Sequence, residues 1–136
     1  MITKIDHIGI AVADLEKQID FYKSIFGLTC LGIEEIADQK VRVAKFPIGN
    51  IQIELLQPIA ADSPIAKFLA TRGEGIHHIA YQVRDLRGAL LQLEAQQIQL
   101  IDRQPRTGSS GHLIAFIHPK STHGVLIELI EAANEE

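Results

Sequence analysis

The 136-residue sequence predicts an α+β fold. Two tandem βαβββ modules form an eight-stranded, open, cleft-like mixed sheet with the helices outside. Three observations carry this reading: an internal repeat, strict apolar alternation at the start of each half, and a helix-capping aspartate directly after each alternating stretch.

Residues 5–15 read IDHIGIAVADL and residues 76–86 read IHHIAYQVRDL. At an offset of 71 the identical pairs are Ile5/Ile76, His7/His78, Ile8/Ile79, Val12/Val83, Asp14/Asp85 and Leu15/Leu86. A second match follows in the same order. IQIELLQP at 51–58 resembles VLIELIEA at 125–132, with Ile53/Ile127, Glu54/Glu128 and Leu55/Leu129 all 74 apart. One match is within the reach of chance, but two in the same order point to duplication.

In the opening strand Ile8, Ile10 and Val12 point to one face and His7, Gly9 and Ala11 to the other. Asp14 caps a helix whose apolar stripe is Leu15, Ile19, Tyr22 and Phe26, closed by Gly27. Asp85 repeats the cap, and Leu86, Leu90 and Leu93 repeat the stripe. Three strands are expected after each helix: 29–36, 40–47 and 50–57, then 98–103, 112–118 and 124–131. Ser63 and Pro64 open a linker helix that Gly73 and Gly75 end. The expected organisation is one domain over 1–136, with module 1 at about 1–60, the linker helix at about 63–73 and module 2 at about 74–134.

Apolar residues make up 46% and charged residues 22%, as in a folded soluble chain, and a net charge of −4 gives no general attraction to nucleic acid or anionic membrane. No apolar run approaches the roughly 18 residues of a membrane span, and the N-terminus does not read as a signal peptide. The expected setting is the cytoplasm. The single cysteine, Cys30, rules out an internal disulfide and a cysteine-based zinc cluster, and reads as a buried small apolar residue. Trp is absent, so the aromatic platforms of a single-strand binder are missing.

The chemistry lies on the face opposite the helix-packing residues. Parity puts His7, Gly9 and Ala11 there in the first half, and His78, Ala80 and Gln82 in the second. Gln52, Glu54 and Leu56 form one side of their strand, and Leu126, Glu128 and Ile130 one side of theirs. No Lys or Arg lies on the strand segments of Glu54 or Glu128, and two carboxylates in a cleft are costly unless a metal or a proton neutralises them. His7, Glu54, His78 and Glu128 are therefore the candidate ligands of one divalent ion. Such a set suits Zn, Co, Ni, Mn or Fe. Gly9, Ala11 and Ala80 are small neighbours that leave room for a ligand. His77 falls on the opposite face and reads as structural. PRTGSSG at 105–111 is either a hairpin connection or an anion cradle built from amides and the hydroxyls of Ser109 and Ser110.

With these residues in view, the chain resembles the vicinal oxygen chelate (glyoxalase/bleomycin resistance/dioxygenase) superfamily over essentially its whole length. The segments that carry the likeness are DHIGIAVADLEKQIDFYKSIFGL at 6–28, GIHHIAYQV at 75–83 and AFIHPKSTHGVLIELIE at 115–131. The last segment, together with GSSG before a strand, is similar to methylmalonyl-CoA epimerases in particular. The resemblance implies the same four metal ligands, a metal such as Co, Zn, Mn or Ni, and a homodimer acting on a small acyl-CoA or thioester. It implies abstraction of the α-proton of methylmalonyl-CoA, with Glu128 and Glu54 as proton carriers, Ser110 and Lys120 as substrate contacts, and Arg106 beside Lys120 as a candidate for the coenzyme A tail. One departure stands out. Certain epimerases carry a further catalytic glutamate on the strand corresponding to 40–47, and KVRVAKFP has no acid there. The alternatives are glyoxalase I, with related enediolate chemistry on a hemithioacetal, and a metal-free small-molecule-binding module.

Overall fold

The computed structural model describes residues 1–133. The elements are β1 (Ile2–Ala11), α1 (Leu15–Ser24), β2 (Ile33–Ile36), β3 (Val41–Ile48), β4 (Ile51–Pro58), α2 (Pro64–Arg72), β5 (Gly75–Val83), α3 (Leu86–Ala95), β6 (Arg106–Thr107), β7 (Leu113–Ile117) and β8 (Ile127–Glu131). The hydrogen-bonded strand order is β2-β3-β4-β1-β5-β8-β7-β6, an eight-stranded mixed sheet as expected. β1 pairs with β4, and β5 with β8, in parallel; β3 with β4 and β7 with β8 are antiparallel. Position 134, where the expected second module ends, lies outside the described residues.

The chain forms two compact units, residues 7–77 and residues 1–6 with 78–136, so the start of β1 groups with the second half of the sequence. In the unit of residues 7–77, α1 covers Val12, Ala44, Phe46 and Leu55 with Leu15, Ile19 and Tyr22. Gly27, at φ +69°, donates to the Lys23 carbonyl at 3.1 Å and closes the helix. Phe26, expected on the apolar stripe, follows the last helical turn and is exposed. Cys30 is half-buried at the margin of this cluster rather than enclosed by it.

The other face of the same strands is not left open along its length. Ile65, Phe68 and Leu69 of α2 pack over Ala11, Val41, Val43 and Leu56. Ala11 is therefore fully buried core, and not the empty space above a ligand that its size suggested. In the second unit α3 lays Leu86, Ala89, Leu90 and Leu93 on Val83, Ala115, Ile117 and Leu129. Ala80, also expected to leave room, is enclosed by Ile114, Phe116 and Ile130.

The duplicated caps are alike in detail. Asp14 accepts from the Lys17 amide and Asp85 from the Gly88 amide, both at 3.1 Å and both at φ −130°, ψ 98°. A second orphan amide of each helix goes to the last strand of its own module: Leu15 N–H to Gln57 at 2.8 Å, and Leu86 N–H to Glu131 at 2.9 Å. Gln57 and Glu131 obey the same offset of 74 as the glutamates.

One expected strand is not formed. Of 98–103 only Leu100 makes a bridge, to Ile117, and the strand in that place is the two-residue β6. The reason is local. The Asp102 carboxylate accepts the Phe116 amide at 2.8 Å, while the Ile101 and Asp102 amides both converge on the Phe116 carbonyl. A side chain thus occupies a ladder position, and regular pairing resumes only at Arg106 opposite Ile114.

Candidate metal centre

Each unit holds one histidine–glutamate couple, delivered by a parallel strand pair. In β1 and β4, Gly9 lies level with Glu54, two residues beyond His7 on the same face. In β5 and β8, Ala80 lies level with Glu128, two residues beyond His78. His7 Nδ1 is 3.2 Å from Glu54 Oε2, and His78 Nε2 is 3.5 Å from Glu128 Oε1. His7 is 2% exposed and the other three are each 5% exposed. Carboxylates withdrawn this far from water require a proton, a cation or strong donors close by.

Within the unit of residues 7–77 the donor atoms are those of His7 and Glu54, and within the other unit those of His78 and Glu128. Imidazole nitrogens with carboxylate oxygens are the donor chemistry of first-row divalent ions, so the residues present fit such an ion.

The surroundings of the couples hold residues the sequence reading passed over. Lys45 is the direct antiparallel partner of Glu54, on the same face, with a side chain 13% exposed and its Nζ 3.7 Å from Glu34 of β2. The expectation that no cation accompanies Glu54 holds for its own strand only. The signal was available: the short turn at Gly49 and Asn50 pairs Ile48 with Ile51, and counting back puts 45 opposite 54. Phe116 occupies the matching position opposite Glu128, and its ring meets the His78 ring edge-on at 5.7 Å.

The remaining expectations fall elsewhere. Ser110 is exposed at φ +55° in a 3-10 turn, and Lys120 is exposed in the 3-10 turn Pro119–Thr122. Neither is one of the four residues of the couples. His77 sits half-buried with its ring edge-on to Phe68 at 5.0 Å, and burial, helped by the nearby Arg72 charge, holds its imidazole pKa down at about 4.

The fold is shared with known proteins. The chain is 45% identical over 133 residues to the uncharacterised protein YqjC of Bacillus subtilis (strain 168), covering 98% of this chain and 95% of that one. It is 37% identical over 130 residues to the mitochondrial methylmalonyl-CoA epimerase of Homo sapiens, covering 95% and 74%. A solved structure of a Streptomyces coelicolor methylmalonyl-CoA epimerase variant in complex with 2-nitronate-propionyl-CoA superposes with a TM-score of 0.95 at 38% identity, covering 100% and 99%. Residues 6–116 match the model of one family. By that match and these identities, the chain belongs to the glyoxalase/bleomycin resistance protein/dioxygenase superfamily.

Proposed function

We propose that the chain epimerises methylmalonyl-CoA by removing and returning its α-proton. The observation that carries this reading is the pair of buried histidine–glutamate couples on the duplicated strands. Support comes from relatives that are methylmalonyl-CoA epimerases and from a neighbour bound to a nitronate analogue of an acyl-CoA.

His7, His78, Glu128 and Glu54 would hold one divalent ion, of Co, Zn, Mn or Ni type. Bound there, the ion supplies Lewis acidity that offsets negative charge on the substrate's oxygens as the α-proton leaves. Everything else falls to the chain. The Glu128 carboxylate takes the proton from one face of the α-carbon, and Glu54 returns one to the other, inverting the centre. On β3, the strand where some epimerases carry an acid, Val41 and Val43 are packed under α2 and Lys45 is a base. Glu54 is therefore the nearer choice for the second carrier. Lys120 and Ser110, both exposed on turns, would meet the outer part of the substrate. Among the described residues no helix is long and apolar enough to cross a membrane. We read the chain as cytoplasmic, from its sequence, and as a homodimer.

The test is solvent-deuterium exchange at the α-carbon of methylmalonyl-CoA by metal-reconstituted protein. The wild type should exchange. Glu128→Gln, which keeps shape and removes the base, should lower exchange by about 10²–10⁴-fold. Full exchange by that variant removes Glu128 from the role. No exchange by the wild type overturns the activity itself.

A further inference from the structure

The alternation of β7 carries one residue past its end. The His118 amide donates to the Gln99 carbonyl at 2.9 Å, and His118 keeps extended backbone at φ −65°, ψ 133°. By alternation it shares the face of Ile114 and Phe116, and Phe116 is the cross-strand partner of Glu128. The register that sets Phe116 against Glu128 and Ile117 against Ile127 brings His118 level with Leu126, on the diagonal from Glu128. Such a diagonal spans roughly 7–8 Å. Leu126 packs with Ala80, Ile114 and Phe116, and His118 beside it is half-buried.

Only one nitrogen of the imidazole is engaged. Nδ1 accepts the Lys120 amide at 3.1 Å, so Nδ1 is unprotonated and the neutral ring carries its proton on Nε2. The turn that fixes the ring is itself tied down: the Gln99 amide donates to Ser121 Oγ at 2.8 Å and the Gly124 amide to the Pro119 carbonyl at 2.8 Å. Among the described residues Nε2 has no partner. The two nitrogens of an imidazole point apart, so the Nε2–H is directed away from the turn. A preset, uncharged donor suits a neutral carbonyl oxygen; phosphates and carboxylates draw their strong bonds from cations.

We propose that His118 Nε2–H binds the carbonyl oxygen of the first amide of the pantetheine arm, and so favours thioesters that carry this amide. This rests on the epimerase reading above. In an acyl-CoA that amide follows the sulfur after two methylenes, a short step from the reacting thioester, as His118 is a short step along the sheet from Glu128.

The experiment compares metal-reconstituted wild type, His118→Asn and His118→Gln on three thioesters. They are methylmalonyl-CoA, methylmalonyl-N-acetylcysteamine, which keeps the first amide and lacks the rest of the arm, and the S-propyl thioester of methylmalonate, which lacks the amide. Deuterium exchange at the α-carbon gives kcat and KM, and calorimetry gives Tm. Asn is a favoured cap, so His118→Asn keeps an acceptor for the Lys120 amide and loses the Nε2–H. It should raise KM on the two amide-bearing thioesters by about 3- to 10-fold, with kcat, Tm and the S-propyl thioester unmoved. His118→Gln places an N–H near the Nε2 position and loses the cap. It should have a lower KM than His118→Asn on the amide-bearing thioesters, at a lower Tm. The reverse order, or His118→Asn equal to wild type on all three, would reduce His118 to a cap of its turn and overturn the proposal. Equal losses on all three thioesters would mean that it acts at the reacting end, and a loss on methylmalonyl-CoA alone that it meets the distal arm; either overturns the proposal. If the wild type exchanges none of the three, the epimerase reading fails. If it exchanges them and His118→Asn matches it, only this inference fails.

Discussion

If the two couples serve one ion, metal binding must be visible as stability. An ion that binds the folded chain alone stabilises it by about 2.7 kcal/mol at a free concentration one hundred times its Kd. For a domain of 136 residues that is a rise in Tm of roughly 8 °C, taking about 3 °C per kcal/mol. Glu54→Gln and Glu128→Gln each remove one buried carboxylate, one in each compact unit. Loss of even an outer-shell partner of a metal site weakens binding by about 10–100-fold, a lower limit for a direct ligand. At the same ion concentration the stabilisation should then fall to about 1.4–0.4 kcal/mol, a shift of about 4 °C or less. Differential scanning calorimetry with cobalt or zinc measures the shift, and isothermal titration the stoichiometry. The single-ion arrangement requires one ion per chain and a loss in both variants. Two ions per chain, each lost in only one variant, would mean that the couples act separately. No shift with any of cobalt, zinc, manganese or nickel would refute the site.

Two further outcomes follow from the neighbours of the couples. Lys45→Met removes the ammonium opposite Glu54, which competes with a metal ion for the carboxylate and repels the ion; affinity should rise by about tenfold, well under the ~4 kcal/mol of two unit charges 4 Å apart near a surface. A weaker affinity, by the same titration, would mean that Lys45 instead holds Glu54 in its liganding position. His77 has its folded pKa lowered to about 4, so the unfolded chain takes the proton first. Its contribution is complete above the unfolded pKa of about 6.5 and is lost as pH falls toward 4, amounting to about 3 kcal/mol. Denaturation at pH 7 and pH 4.5 should show His77→Gln less acid-sensitive than the wild type; equal slopes would mean that other groups govern acid stability.

What the sequence made legible was faces. A period of two needs no knowledge of neighbours, and it sorted His7, Glu54, His78 and Glu128 to the sides on which they are found, because the opposite sides carry Ile10, Leu55 and Leu129 into the helix-covered cores. The capping aspartates were legible for the same reason, since Asp14 and Asp85 act within three residues of themselves. What lies across a strand is a matter of register, and register is written in turns. The turn at Gly49 and Asn50 is short enough to count through, so Lys45 could have been set against Glu54 before any coordinates. No such count reaches Arg106. The stretch between Leu100 and Arg106 leaves the ladder where Asp102 takes the Phe116 amide with its side chain, and alternation carries no trace of that substitution. The helix α2 was legible as a helix from Ser63 and Pro64, but not the face it would cover. Its Ile65, Phe68 and Leu69 fit either side of a sheet. Ala11, level with Leu56, leaves them room to settle on the ligand side. The residue chosen as vacant space above an ion is thus the seat of the linker helix, and Gly9 is the one of the three small neighbours that lies level with Glu54.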